Sequence, residues 1–186
     1  MERKAPSRAE VLMSGLGGMG VLTAGQLLSG AALQVFNHVS YLPSYMDAMR
    51  GGLCECTVIF SDEEIASPIL DQAQTVMIFD SSQFKVFESR VRPGGVIIIE
   101  SAGLKDEPQR KDFRLVPVSG LEIAVNMGSS VINNLILLGV YVGLVKSIPA
   151  ELVEEELEKR YGPREAILKR NREAFRQGLE LAKTVV

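Results

Sequence analysis

The sequence predicts a three-layer α/β/α fold built on a Rossmann-like, mostly parallel sheet, with helices closing the C-terminal end. Three observations carry this prediction. Short apolar runs rich in β-branched residues alternate with stretches of helical spacing. The first such run ends in a glycine-rich turn that leads directly into a helix, which is how a parallel α/β sheet opens. The 186 residues, 46% hydrophobic and 23% charged, are also enough to bury one core. One domain over residues 1–186 is expected, with 149–186 as a helical extension.

Residues 10–14 read as a short buried strand running into the turn at 15–20. Residues 21–36 have helical spacing, with Leu22, Leu27, Leu28, Ala31, Ala32 and Val35 on an apolar face. A second strand at 38–42 should stop at Pro43, leaving 43–52 as a loop. Residues 53–61 have strand character and meet an acidic turn at 62–64. The run TVMIFD at 75–80 is a buried strand, followed by a helix at 81–91 capped by Ser81 or Ser82. Pro93, Gly94 and Gly95 make a turn before VIIIES at 96–101, the clearest strand of the chain. A strand at 113–118 and a short helix at 121–128 come next. Residues 131–145 are apolar nearly all round and predict a buried helix. Pro149 and Pro163 start the last two helices, in which 151–186 balances eight acidic against eight basic side chains.

Composition excludes several functions. Twenty Lys and Arg against 23 Asp and Glu, unclustered, give no footprint for nucleic acid. Cys54 and Cys56 are too few for a disulfide scaffold, or for a zinc or iron–sulfur site on this chain alone. They fall on one face of a strand and read as buried thiols, which suits a reduced, cytoplasmic setting. No signal peptide is expected from an opening that mixes charge signs without an apolar core. The longest apolar stretch, 135–145, is well short of the ~20 residues that cross a bilayer. The single histidine, His38, has no paired nucleophile and reads as packed or exposed.

Gly15, Gly17, Gly18 and Gly20 satisfy G-x-G-x-x-G between a strand and a helix. Glycines allow positive φ and close backbone approach, and the helix start offers free N–H groups to an anion. Three readings fit. A dinucleotide site is the first, but the ribose-gripping carboxylate expected ~20 residues on is missing, since Ser40, Tyr41, Leu42 and Pro43 stand there. A tight packing turn without a ligand is the second. Capture of an anion or carboxylate at a subunit boundary is the third. A P-loop is excluded because no Gly-Lys-Ser/Thr closes the motif. A second unusual segment, 43–52, places Ser44, Tyr45, Asp47 and Arg50 in one loop closed by Gly51 and Gly52. Arg50 is suited to a carboxylate or phosphate as a bidentate fork, or to an ion pair with Asp47.

The segments GLGGMGVLTAGQLLSGAA (15–32) and YLPSYMDAMRGGLCECTVIFSDEEIASP (41–68) resemble the gamma subunit of 2-oxoacid:acceptor (ferredoxin) oxidoreductases, closest to the 2-oxoglutarate or general 2-oxoacid type. The likeness continues through Asn134 to Gly139 and through Asn171, Phe175 and Gly178. Two departures stand out: Met19 replaces a Gln typical of the family, and Met46-Asp47-Ala48 replaces Gly-x-Glu. The resemblance implies a subunit of an enzyme that oxidatively decarboxylates a 2-oxoacid, such as 2-oxoglutarate or pyruvate, to an acyl-CoA. Thiamine diphosphate, magnesium, iron–sulfur clusters and coenzyme A serve the complex. Alpha, beta and ferredoxin-like delta subunits are the implied partners, with ferredoxin as acceptor. On this chain it implies no cofactor, no metal and no catalytic residue. Gly15, Gly17, Gly18, Gly20, Ser44, Tyr45, Arg50, Gly51, Gly52 and Asn134 are expected to face a partner or an anionic ligand. The isolated chain is expected to be inactive and able to pair with a second copy. A free-standing NAD(P)- or FAD-binding reductase and a pure assembly module are the competing readings.

Overall fold

A computed structural model describes residues 7–45 and 52–185, with Tyr45 described by its backbone alone. Its strands are β1 Arg8–Leu16, β2 His38–Tyr45, β3 Leu53–Ser61, β4 Ala73–Ile78, β5 Val91–Glu100 and β6 Arg114–Val118. They form one sheet in the order β2-β3-β1-β4-β5-β6. The neighbours β1/β4, β4/β5 and β5/β6 are parallel, whereas β3 is antiparallel to both β1 and β2. The helices are α1 Val21–Ala32, α2 Phe84–Phe87, α3 Gly120–Asn126, α4 Asn133–Val145, α5 Ala150–Tyr161 and α6 Glu165–Thr184.

The apolar runs are continuous because the central strands are covered on both faces, and their side chains still alternate. Val11, Met13, Met77, Ile98 and Val116 face one core with α1, α4 and α6. Leu12, Val76, Ile78, Ile97 and Ile99 face the other, under Phe84 and Phe87 of α2. The second layer is thin, so the three layers are unequal. At the centre of the thicker one, α4 is buried from Asn133 through Val142, as its all-round apolar sequence requires.

Several boundaries differ from the sequence reading. β1 continues through Gly15 and Leu16, because Cys54 and Leu53 of β3 pair with them. β2 runs through Pro43 to Tyr45; as the outermost strand it tolerates a residue without an N–H. The turn at Pro93-Gly94-Gly95 lies inside β5, as a bulge between the pairs Ala73/Val91 and Thr75/Val96. The helix expected at 81–91 breaks into two 3₁₀ turns around the single turn of α2. Its cap is neither Ser81 nor Ser82: the Asp80 carboxylate accepts from the Ser82 N–H at 3.0 Å. α1 ends at Ala32, which leaves Leu33 and Val35 exposed.

Candidate functional site

The two glycine motifs meet at the C-terminal end of β1. The Gly17 N–H donates to the Gly52 carbonyl at 2.9 Å, next to the Leu16/Leu53 pair. The turn at 15–20 is tightened by the Met19 N–H on the Leu16 carbonyl, while the Met19 sulfur lies 3.5 Å from the Leu16 nitrogen. Gly18 has φ +99 and faces open space. Gly20, the N-cap of α1, has φ +76, and its carbonyl accepts from Asn134 Nδ2 at 3.0 Å. A Cβ on Gly20 would stand 2.3 Å from that same nitrogen. Asn134, 5% exposed, thus fills the space that a glycine leaves in such a motif, and it ties α4 to the loop. Ser44 is exposed on β2, opposite Glu55. Arg50 and Gly51, with 46–49 and the Tyr45 side chain, lie outside the described residues.

Beside the loop, at the ends of β1, β4 and β5, opens a cavity of about 260 Å³ bordered by Gly18, Met19, Asp80, Glu100, Val131 and Asn133. This is where open α/β sheets usually bind. Its carboxylates organise backbone. Glu100, 3% exposed, accepts from the Ala102 and Leu121 N–H groups, both at 2.8 Å. Asp80 caps the turn after β4. Asn133 Oδ1 is buried without a partner among the described residues. On the other side of Val131 a second cavity, about 330 Å³, lies between Gly20, Thr23 and Asn134 and the Arg170 and Asn171 side chains of α6. Val131 itself is 56% exposed. Residue spacing did not single out Glu100, Val131 or Asn133. The available signal was a carboxylate closing the run VIII, and a second Asn ahead of an apolar helix.

Both cysteines pack on the α1 side of β3. Cys56 is buried under α1, with its thiol 3.8 Å from the Val21 carbonyl, and burial pushes its pKa up to about 12. Burial, then the neighbouring Glu55, also raises Cys54. Among the described residues no three His, Cys, Asp or Glu gather as a metal site. Nor, among them, is any helix long and apolar enough to cross a membrane.

Residues 10–181 match the family described as pyruvate ferredoxin/flavodoxin oxidoreductase. The chain belongs to that family. It is 29% identical over 174 residues to ketoisovalerate oxidoreductase subunit VorA of Methanothermobacter marburgensis, covering 93% of this chain and 36% of that protein. It therefore spans about a third of the length of the relatives of this type. To 2-oxoglutarate synthase subunit KorC of Methanocaldococcus jannaschii it is 25% identical over 185 residues, 98% of each chain. The crystal structure of the keto/oxoacid ferredoxin oxidoreductase gamma subunit from Geobacter sulfurreducens superposes with a TM-score of 0.81 at 24% identity, covering 97% of this chain and 99% of that one. At that identity the likeness establishes the fold. In this member of the oxidoreductase family, the G-x-G-x-x-G loop is closed by Asn134 and by Gly52. The strand that would carry a ribose-binding carboxylate is separated from β1 by β3.

Proposed function

We propose that this chain is the gamma subunit of a multisubunit 2-oxoacid:ferredoxin oxidoreductase and performs no chemistry alone. The observation that carries the reading is the family match over residues 10–181, together with a relative of the same length named as a 2-oxoglutarate synthase subunit. In this reading the complex oxidatively decarboxylates a 2-oxoacid, 2-oxoglutarate in the first instance, to its acyl-CoA in the cytoplasm. Thiamine diphosphate, magnesium and the iron–sulfur clusters reside on alpha, beta and delta subunits, and ferredoxin takes the electrons. The chain supplies contact surface and shapes the approach of coenzyme A. The Gly17 and Met19 N–H groups are held by the Gly52 and Leu16 carbonyls, so Gly18 and Gly20, with Ser44, Tyr45, Arg50 and Gly51, face a partner subunit or the anionic part of the coenzyme. Asn134 and Gly52 hold that loop in place.

Support comes from the kind of groups gathered at the loop. They are glycine backbone, neutral amides, serine hydroxyls and carboxylates that already hold N–H groups, and Asp80 also accepts from the Ser82 hydroxyl at 2.5 Å. The exposed Val131 between the two cavities is the natural contact point. Val131→Glu should leave the melting temperature of the isolated chain unchanged. Copurification with the other subunits should fall, or the KM for coenzyme A should rise, about tenfold. Arg50→Ala should act in the same direction. A complex that assembles and turns over coenzyme A normally with both substitutions would remove this end of the sheet from the account.

A further inference from the structure

At the opposite end of the sheet, about 20 Å from the glycine loop, a groove of about 440 Å³ opens between the starts of β4, β5 and β6 and the end of α4. Arg92, Arg114 and Lys146 line it, and among the described residues no carboxylate does. Its walls are Val96, Leu144 and Val145 with the backbone of Gly94. We infer that this groove binds a phosphate monoester, with its dianionic head among the three cations and its organic part against the apolar wall.

The cations keep donors for such a group. Arg92 makes one long ion pair, 3.9 Å to Glu10 Oε2, while Glu10 Oε1 holds Arg8 at 2.9 Å, which leaves most of the Arg92 fork unengaged among the described residues. Arg114, beside Val96 in the β5/β6 register, donates to the Val185 carbonyl, and among the described residues its other donors have no partner. Among the described residues no carboxylate stands within ion-pair distance of Lys146. Among the described residues nothing lies within 4 Å of where a Cβ on Gly94 would sit, at φ +75, so a ligand can approach its Cα, while its N–H is held by the Asp112 carbonyl at 2.6 Å.

The backbone of Lys146 points the same way. It is the only non-glycine with positive φ among the described residues, at +53. It closes α4 in the left-handed conformation, where glycine costs least. A lysine held there puts its ammonium at the groove at the expense of backbone strain, and such strain collects at functional positions. The negative end of the α4 dipole, equivalent to about half a charge, opposes an anion but is outweighed by three full positive charges. The volume falls within the ~300–1,000 Å³ of small-molecule sites, and guanidinium forks match phosphate oxygens in geometry.

The test titrates the full chain with glycerol 3-phosphate, with inorganic phosphate, and with glycerol as control, following backbone amides by NMR. Shifts should concentrate at Gly94, Gly95, Val96, Arg114 and Lys146 with both phosphates, and weaken as salt rises. Arg114→Gln and Lys146→Gly should each weaken affinity about tenfold, the loss expected for one charge-assisted contact. Lys146→Gly relieves the backbone, so its melting temperature should hold or rise, which separates lost binding from lost folding. Absent or scattered shifts at millimolar phosphate, or Lys146→Gly binding as the parent does, would overturn the inference. So would a response to an oligoglutamate peptide in place of either phosphate.

Discussion

Gly20 and Asn134 work as one unit. Gly20→Ala imposes φ +76 on a residue with a side chain and drives its Cβ to 2.3 Å from Asn134 Nδ2. A cost of about 2–3 kcal/mol is expected from strain and overpacking together. Asn134→Ala alone should cost about 1–2 kcal/mol, for the hydrogen bond lost at a buried carbonyl. In the double variant the clash is gone, while the backbone strain and the lost hydrogen bond remain. The sum of the single costs should therefore exceed the double-variant cost by about 1 kcal/mol in chemical denaturation; strict additivity would deny the coupling. Cys56 gives a residue-scale prediction in pH. Its thiol is raised in the fold, so the folded chain holds a proton that the unfolded chain releases above about pH 9. The associated stability is complete below that pH and is lost as pH climbs toward 12. Tyr41, also pushed up to about 12 by burial, adds to the upper part of the same window. Cys56→Ala should flatten the fall in stability between pH 9 and 12, and an unchanged slope would assign the effect elsewhere.

Among the elements, α4 and α6 approach most closely where two glycines face each other. A Cβ on Gly139 would lie 2.2 Å from the Phe175 carbonyl oxygen and 2.9 Å from the Gly178 Cα. Gly139→Ala must push the helices apart, and should cost about 3 kcal/mol in denaturant midpoint and slope measurements; a cost under 0.5 kcal/mol would mean that the helices slide freely. The elements were legible where the pattern was strong: β3 was read at its own bounds, and the buried all-apolar α4 was read one short 3₁₀ turn early. Boundaries escaped where tertiary pairing overrode local chemistry. Gly15 and Leu16 look like turn residues until β3 is laid beside them, and Pro43 looks like a stop unless its strand is known to be an edge. At 81–91 the spacing suggests one helix, but Phe84 and Phe87 need only a single turn to cover the thin face of the sheet.

For the whole molecule, the parallel half of the sheet was foreseeable from alternating strands and helices. The antiparallel insertion of β3 was not, because strand order leaves no trace in periodicity. That insertion matters for function, since it moves β2 away from the side of β1 where a dinucleotide fold places its ribose contact. The glycine loop was legible as the turn from β1 into α1; that Asn134 is buried against Gly20 instead of facing outward was not. Glu100 and Asn133 were not, because their role depends on which strand and helix ends converge. Arg50 and Gly51 lie outside the described residues, so for them the sequence reading stands as a proposal. The central claim is that this chain completes an oxidoreductase without housing its chemistry. The most direct measurement compares the purified chain with a preparation reconstituted from it and its thiamine-diphosphate and ferredoxin-like subunits, in a coenzyme A-dependent 2-oxoglutarate assay with ferredoxin as acceptor. The lone chain should show no turnover and no bound flavin or nicotinamide, and turnover in the reconstituted complex should fall when the chain is omitted. Sustained 2-oxoacid oxidation by the chain alone, or full activity of the other subunits without it, would contradict the account.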